Sequence, residues 1–285
     1  MTRILIVGHK GQLGRVLYHY PSEHERLGMD LPEHDITNAS ETQYALRGVR
    51  PQLVINTAAF TNVDAAESDP DLAYRINAHA AGNLARVCRD LGASLLHIST
   101  NEVFSGQRGG RPYDEWDVPD NVHGSAYARS KLAGENAIRF FNPEIRIIRI
   151  AWLFSPGGVN FPAKIVAAAD KHGALKVVDD EFGNPTYAPD LAEAIYKLID
   201  LKAPPGVYHL TNSGVASRYE MAKLALQLTG RGHIPVEPIP HTAWRRAATP
   251  PLQAVLANRA AAALGVTLRP WQEALADWAQ QVSEG

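Results

Sequence analysis

This sequence has little cysteine, no surplus of basic residues and no long apolar run near its start, and each of these features excludes a class of protein. With one cysteine, Cys88, the chain can form no internal disulfide, which agrees with a reducing compartment. Lys and Arg number 28 against 30 Asp and Glu, so the expected partners include neither nucleic acid nor an anionic membrane. The longest early apolar run, residues 4–7, is too short for a signal-peptide core or a membrane span. We therefore expect a globular cytoplasmic protein.

Short apolar runs alternate with segments of helical periodicity over the first 150 residues. Four runs have the length and composition of buried parallel strands: 3–7, 52–56, 94–98 and 145–150. Residues 71–92 and 126–141 carry apolar side chains at helical spacing. Such alternation predicts an α/β fold with a doubly wound parallel sheet of the Rossmann type, in which ligands bind at the carboxyl ends of the strands.

After residue 151 the sequence pattern changes, and loop-like and turn-like stretches become frequent. A helical pattern at 190–201 and a strand pattern at 207–210 then resemble the first part again. We predict that residues 1–151 together with about 186–212 form the dinucleotide-binding domain. Residues of about 152–185 and 213–285 are predicted to form a smaller C-terminal substrate lobe.

A glycine-rich turn follows the first predicted strand. Gly8, Gly11 and Gly14 form G-x-x-G-x-x-G and precede a predicted helix. Glycines allow the sharp turn and close approach of the backbone to a pyrophosphate, and the helix N-terminus offers N–H groups to it. An ordinary strand-to-helix turn is the simpler alternative, but the context favours dinucleotide binding.

Two acidic positions compete for the adenosine end of such a cofactor. Asp30 lies where an acidic residue would meet the ribose, and Asp35, with Ile36, is better placed for the adenine. A solvated loop carboxylate is the alternative for either. Since no basic residue is clearly placed for a 2′-phosphate, the choice between NADH and NADPH stays open.

Tyr127 and Lys131 form the pair Tyr-x-x-x-Lys within a predicted helix, where positions i and i+4 share a face. A nearby ammonium is expected to lower the pKa of the tyrosine, which allows proton exchange near neutral pH. Thr100 adds a hydroxyl directly after the third predicted strand. His97, late in that strand, is interpreted as a packed residue. No His, Cys and carboxylate cluster has ligand spacing, so no catalytic metal is predicted.

Longer stretches resemble the dTDP-4-dehydrorhamnose reductases, a family of extended short-chain dehydrogenases/reductases. The runs that carry the resemblance are 56–68 (NTAAFTNVDAAES), 98–106 (ISTNEVFSG), 127–135 (YARSKLAGE), 177–180 (VVDD), 183–187 (GNPTY), 190–192 (DLA) and 208–212 (YHLTN). They span nearly the whole chain and are far more specific than the glycine turn.

The resemblance implies NADPH- or NADH-dependent reduction of the C4 ketone of dTDP-4-dehydro-L-rhamnose to dTDP-L-rhamnose. Thr100 would bind the reacting oxygen, Tyr127 would donate the proton and Lys131 would hold the ribose. The residues expected to hold the cofactor are Gly8, Gly11, Gln12, Leu13, Gly14, Asp30, Asp35, Ile36, Ala58, Ala59, Phe60, Thr61, Tyr127 and Lys131. Those expected beside the dTDP-4-ketosugar are Thr100, Asn101, Glu102, Trp152, Asn160, Phe161 and Arg246, the last paired with Arg245. A homodimer is a further expectation.

Three positions depart from the family pattern. Asn101 and Glu102 stand where the family usually has Asp and Tyr beside the sugar, and Ala257 stands where it usually has Asp. A 4-ketoreductase for another dTDP-deoxysugar is therefore an alternative prediction. A non-catalytic, cofactor-binding regulatory subunit of the same fold is another, opposed by the presence of Thr100, Tyr127 and Lys131. Epimerases and dehydratases share Tyr-x-x-x-Lys but not the later runs.

Overall fold

The computed structural model describes residues 1–283, so the last two residues of the predicted C-terminal lobe, 284 and 285, lie outside the described residues. The strands follow one another as β1 (Arg3–Val7), β2 (Glu25–Met29), β3 (Leu53–Asn56), β4 (Ser94–Thr100), β5 (Ile145–Ile150), β6 (Leu153–Phe154), β7 (Leu175–Val178), β8 (Phe182–Gly183), β9 (Thr186–Tyr187), β10 (Gly206–His209), β11 (Ala216–Ser217) and β12 (Val236–Ile239). The helices are α1 (Gln12–His19), α2 (Ala39–Val49), α3 (Val63–Ser68), α4 (Pro70–Tyr74), α5 (Ala81–Leu91), α6 (Ala126–Phe141), α7 (Phe161–His172), α8 (Ala188–Asp200), α9 (Arg218–Leu228), α10 (Arg259–Ala263) and α11 (Trp271–Ser283).

Six strands form one parallel sheet in the order β10-β5-β4-β3-β1-β2. The order reverses between β1 and β3, which opens a crevice at their carboxyl ends. The glycine turn follows β1 and residues 57–61 follow β3, so both predicted cofactor segments border this crevice. The predicted α/β, doubly wound parallel sheet is confirmed.

Helices cover both faces of the sheet and bury two apolar cores. On one face α1 and α8 pack together, and the Tyr196 hydroxyl of α8 donates a 2.8 Å hydrogen bond to the carbonyl of Leu17 in α1. On the other face α2, α5 and α6 enclose a second core that includes Leu46, Leu84 and Ile138. Because both faces are covered, the central strands β1 and β3 carry nearly continuous apolar sequence.

The sequence pattern missed one sheet strand and merged two helices. Residues 25–29 (ERLGM) hold no β-branched residue and one glycine, yet they form the edge strand β2 beside β1. The predicted helix at 71–92 is α4 and α5 joined by a π-helical turn, Arg75–Ala80. Residues 177 and 178, from one of the runs that resemble the family, are part of β7, which pairs in parallel with β12 outside the main sheet.

The later part of the chain builds smaller two-stranded sheets and a third core. Helices α7, α9 and α11 pack around buried aromatic residues that include Phe154, Tyr187, Trp271 and Trp278. The strand β10 nevertheless pairs with β5 in the main sheet. Within residues 1–283, no helix is both long and apolar enough to cross a membrane.

Candidate active site

The glycine turn between β1 and α1 requires its glycines for close packing. Gly8 has φ +81°, and a Cβ there would lie 2.7 Å from the amide nitrogen of Ala58. A Cβ on Gly14 would lie 2.0 Å from the carbonyl oxygen of Gly8. The backbone at the end of β1 and the start of α1 is thereby brought against the segment that follows β3.

A cavity of about 290 Å³ opens at this turn. Seven residues predicted to hold the cofactor line it, namely Gly8, Gly11, Asp30, Asp35, Ile36, Ala58 and Ala59. Leu13 and Gly14 are buried behind the lining. Phe60 is not in the lining and, like Tyr127, packs against a small cluster that includes Ala66, while Thr61 is exposed in the loop before α3.

The acidic residues of this cavity differ in their hydrogen bonds. Asp30 directly follows β2, and its carboxylate accepts hydrogen bonds at 2.8 Å from the amides of Lys10 and Leu31. The carboxylate of Asp35 instead accepts from the amide and hydroxyl of Thr37, both at 2.8 Å. Asp30 is thus fixed at the end of β2, where a carboxylate meets a ribose hydroxyl in dinucleotide-binding folds.

The cavity fits a dinucleotide on structural grounds. Gln12, at the N-terminus of α1, has a side-chain Nε2 that is shut off from solvent and has no hydrogen-bond partner among the described residues. A buried donor without a partner is costly, and an acceptor such as a phosphate oxygen would satisfy it. The helix N-terminus adds a favourable potential for an anion.

Thr100 and Tyr127 meet at the carboxyl end of β4. Thr100 is the last residue of that strand, and its hydroxyl interacts with the phenol of Tyr127, whose pKa it lowers. Tyr127 lies in the first turn of α6, which Ser125 caps by accepting a 3.1 Å hydrogen bond from the amide of Ala128. The strand end and the capped helix start therefore place the two hydroxyls side by side.

The pKa of Tyr127 is displaced upward, opposite to the direction expected from its sequence neighbour Lys131. Desolvation raises this pKa most, the carboxylate of Glu102 raises it further, and the hydrogen bond with Thr100 lowers it. The net shift keeps the phenol protonated throughout the neutral range. A protonated phenol is the form that donates a proton to a reduced carbonyl.

Lys131 is buried on α6, one turn after Tyr127. Its Nζ donates a 2.7 Å hydrogen bond to the carbonyl of Ile98 and lies 3.3 Å from Nε2 of His97. Burial lowers the pKa of Lys131 to about 8, against an opposing effect of the Glu135 carboxylate. Thr100, Tyr127 and Lys131, expected together from the sequence, are brought to one end of β4.

Two of the three residues that depart from the family pattern follow Thr100 directly. Asn101 is buried and its amide donates a 3.0 Å hydrogen bond to the carbonyl of Ala254. Glu102 has a carboxylate oxygen, Oε2, that is shut off from solvent and has no hydrogen-bond partner among the described residues. Burial raises the pKa of Glu102 to about 7, although the charges of Arg218 and Arg246 oppose this shift.

Trp152 adopts a left-handed backbone conformation after β5, with φ +45°. Its ring lies against the guanidinium of Arg218, whose Cζ is 3.6 Å from the ring centroid. The same guanidinium lies 4.9 Å from the Phe161 ring centroid. Burial lowers the pKa of Arg218 to about 10, opposed by the carboxylate of Glu102. Trp152, Phe161 and Glu102 thus surround one half-buried arginine.

Asn160 and the Arg245–Arg246 pair occupy different surroundings. Asn160 is buried and caps α7, accepting from the amide of Ala163 at 3.2 Å and donating to the carbonyl of Ser155 at 2.8 Å. Arg246 pairs with the buried carboxylate of Glu181. Arg245 is exposed. The side chain of Asn160 is therefore already occupied by structural hydrogen bonds.

A second cavity, of about 560 Å³, lies beside the N-terminus of α6. It is bordered by three loops, at 105–107, 120–125 and 247–252, and by Glu67 of α3. The residues predicted for the substrate do not line it, but Ser125 and Ala247 in its wall adjoin Tyr127 and Arg246.

Arg218, Glu181 and Asn56 belong to the site but were not predicted. Arg218 follows Ser217, which forms a capping box with Glu220 at the start of α9. That Ser-x-x-Glu pattern signals a helix start but does not tell which way the arginine points. Asn56 ends β3 and Glu181 precedes β8, positions that no local pattern marks as functional, and their roles depend on contacts that are distant in sequence.

Comparison with known proteins gives a consistent result. The family model described as "RmlD substrate binding domain" matches residues 1–284. A dTDP-4-dehydrorhamnose reductase of Mycobacterium tuberculosis is 39% identical, over 96% of this chain and 91% of the relative. A dTDP-4-keto-6-deoxy-D-glucose reductase of Streptomyces niveus is 35% identical, over 96% of this chain and 95% of the relative.

A solved structure agrees as well. The crystal structure of dTDP-4-dehydrorhamnose reductase from Bacillus anthracis in complex with NADP has a TM-score of 0.92 and 34% identity to this chain. The match covers 97% of this chain and 98% of the other.

Proposed function

The chain belongs to the dTDP-4-dehydrorhamnose reductase family of oxidoreductases, and from this membership we propose that it reduces the C4 ketone of dTDP-4-dehydro-L-rhamnose to dTDP-L-rhamnose. The observation that carries the proposal is the contact of Thr100 with Tyr127, one helical turn from the buried Lys131. This arrangement stands next to a cavity suited to a dinucleotide.

The cofactor in this proposal is NADPH or NADH, held in the cavity at the glycine turn. The amides at the start of α1 and the unpartnered Nε2 of Gln12 would bind the pyrophosphate. Asp30 would accept a hydrogen bond from the adenosine ribose, an arrangement that suits a free 2′-hydroxyl. Ala58 and Ala59 would line the nicotinamide side of the cleft.

The side chains of this chain supply orientation and a proton. When bound, the reduced nicotinamide supplies a hydride to the ketone carbon. Tyr127 and Thr100 would both donate hydrogen bonds to the ketone oxygen and stabilise the negative charge that develops there. Tyr127 then gives its phenolic proton to that oxygen, and Lys131 would hold the ribose beside it.

A 4-ketoreductase acting on another dTDP-deoxysugar is the second candidate. It is favoured by Glu102, whose unpartnered carboxylate oxygen stands where the family usually presents a phenol to the sugar. A carboxylate accepts hydrogen bonds from sugar hydroxyls in a pattern that a phenol cannot reproduce. The Streptomyces niveus relative, named for a different ketosugar, shows that sugars vary at this level of identity.

We also propose the division into a cofactor domain of residues 1–151 with about 186–212, and a substrate lobe of about 152–185 and 213–285. The pairing of β10 with β5 and the packing of α8 on α1 support it. A homodimer and a cytoplasmic location are part of the same proposal, and light scattering of the purified protein tests the dimer.

The reaction is tested by mixing the purified protein with dTDP-4-dehydro-L-rhamnose and following oxidation of NADPH and NADH separately. We expect rapid oxidation with formation of dTDP-L-rhamnose. The variant Tyr127→Phe should lose at least about 100-fold in turnover, because the proton donor is gone, while cofactor affinity stays within about threefold. Near-normal turnover of this variant would refute the proton-donor role.

A panel of other dTDP-4-ketosugars separates the remaining candidates. Turnover of one of these, but not of the rhamnose precursor, would establish the second candidate. Cofactor binding without turnover on any member of the panel would favour a non-catalytic regulatory subunit.

A further inference from the structure

A line of buried hydrogen bonds leads from the cofactor cavity to Lys131. The amide of Ala58, in the cavity wall, donates to Oδ1 of Asn56 at 3.1 Å. The amide Nδ2 of Asn56 lies 3.0 Å from Nδ1 of His97, and Nε2 of His97 lies 3.3 Å from Nζ of Lys131. The side chains of Asn56, His97 and Lys131 are at most 2% exposed, so water does not substitute for these contacts.

This line determines which imidazole nitrogen carries the proton. Because the Ala58 amide is a donor, it keeps the oxygen of the Asn56 side chain facing itself and the NH₂ group facing His97. Nδ1 of His97 therefore accepts, and a neutral imidazole must then carry its proton on Nε2. That N–H is directed at Lys131.

An N–H directed at Nζ can only donate to a lone pair, which an amine has and an ammonium lacks. With an ammonium at Lys131, two donors would face each other in a buried place. The other tautomer of His97 would remove this conflict, but only if Asn56 turned its NH₂ group toward the Ala58 amide.

We propose that His97 is a positioning residue for Lys131: held in the Nε2–H tautomer by Asn56, it favours the amine of Lys131 over the ammonium. The line then makes Lys131 a group that changes charge within the working range of the protein rather than a permanent cation. This inference rests on the proposed function, since it concerns the lysine that would hold the cofactor ribose.

The other groups around Lys131 agree with this assignment. On its own helix the Glu135 carboxylate favours the ammonium, but Glu135 is itself paired with Arg149 and Arg139. From β4 the neighbours are His97 and the carbonyl of Ile98. Burial holds the pKa of His97 well below its usual range, and the charge of Lys131 lowers it further whenever the ammonium is present, so the imidazole stays neutral in both states of the lysine.

The tautomer is tested directly by long-range ¹H–¹⁵N NMR on protein with labelled histidine, without sugar. His97→Phe assigns the signal among the 11 histidines, since the variant lacks it. We expect Nε2–H for His97 at neutral pH. In Asn56→Asp, a carboxylate replaces the NH₂ group, accepts from Nδ1–H and switches the tautomer. An Nδ1–H tautomer or an imidazolium in the unaltered protein would overturn the proposal.

The charge of Lys131 is tested by the affinity for NADH measured between pH 6 and pH 10. We expect affinity to fall as the ammonium is lost, with a break near pH 8. In Asn56→Asp the switched tautomer presents Nε2 as an acceptor to the ammonium, and the new carboxylate stabilises its charge. In His97→Gln the side-chain oxygen can act as the acceptor. The break in NADH affinity should therefore move up by about one pH unit in both variants. His97→Phe removes the N–H that faces Nζ but offers the ammonium no acceptor, so its break should also move up, by less than in the other two variants.

A purely structural role for His97 predicts something else. The variants would then lower the melting temperature but keep the break of the unaltered protein, and that result would overturn the proposal. If cofactor affinity and tautomer behave as expected but no ketosugar is reduced, the proposed function fails while this inference stands.

Discussion

Glu102 is the residue of the site whose charge affects the largest number of its neighbours. It follows Thr100 at the sheet edge, and its charge acts on Tyr127, Arg218 and Arg246. Yet Glu181, rather than Glu102, forms the ion pair with Arg246, and Arg218 lies 4.0 Å from Glu181. The carboxylate of Glu102 is thus left within the site without a direct counter-ion, free to meet a hydroxyl of the substrate.

The substitution Glu102→Gln should reveal the missing counter-ion of Glu102 as a change in the free energy of unfolding. The pKa of Glu102 is raised from its ordinary value of 4.5 to about 7, so the folded protein binds this proton more tightly than the unfolded chain. The free energy of unfolding that this proton binding contributes is therefore fully present below pH 4.5 and is lost as pH rises through 7. Glu102→Gln should be on the order of 1–3 kcal/mol more stable than the unaltered protein at pH 8.

Urea unfolding at pH 4.5 and pH 8 measures this difference. The gain should nearly vanish at pH 4.5, where Glu102 is largely protonated. Glu237→Gln, at an exposed carboxylate of β12, serves as the matched control. An equal effect of Glu102→Gln at both pH values would contradict the raised pKa.

At the scale of elements, the start of α6 determines where Tyr127 stands. Ser125 caps the helix, and the amide of Ala126 donates a 2.7 Å hydrogen bond to the Glu67 carboxylate of α3. The helix N-terminus is thereby attached to the segment after β3. Tyr127, in the first turn, takes its position from both contacts.

Ser125→Ala should cost about 1 kcal/mol of stability, because the Ala128 amide loses its acceptor. Turnover should fall more than cofactor affinity, since the first turn carries Tyr127 whereas the glycine turn is distant. Ser125→Asp restores an acceptor and is expected to recover stability. Thermal unfolding and steady-state kinetics of the three proteins check this, and a turnover unchanged in Ser125→Ala would mean that the cap does not position Tyr127.

Elements with strong local signals were predictable from the sequence, and those held by distant contacts were not. Residues 3–7 and 145–150 are apolar and branched, and both are sheet strands. β2 lacks that composition because its pairing with β1, not its own preference, makes it a strand. In the site, Tyr127 and Lys131 lie four positions apart on one helix, so their spacing in the sequence predicts that they share a face. Arg218 reaches Trp152 from 66 positions away, and no local pattern encodes such a contact.

At the scale of the whole molecule, one buried ion pair joins several layers. Arg149 of β5 donates two hydrogen bonds to Glu135 of α6, at 2.9 and 2.8 Å, and both side chains are at most 1% exposed. Ser99 of β4 donates to the same carboxylate at 2.7 Å, and His209 of β10 lies 3.4 Å from the guanidinium. Three strands and the helix of Tyr127 thus share one charged centre.

Arg149→Met should destabilise the protein by about 3–5 kcal/mol, because Glu135 keeps its burial and loses its main partner. Adding Glu135→Leu removes the stranded charge and should restore much of the loss. Urea unfolding of the single and double variants measures both. A double variant as unstable as Arg149→Met would show that the pair contributes shape rather than charge balance.

The position of Asn56 links the affinity for the cofactor to the protonation of Lys131. Its side chain contacts the wall of the cofactor cavity at one end and the histidine beside Lys131 at the other. Reciprocity then requires that if the proton on Lys131 strengthens cofactor binding, the bound cofactor strengthens retention of that proton by the same factor. Loading the protein would draw protons from its buffer, and a more acidic medium would bind the dinucleotide more tightly with no change of residue in the cleft.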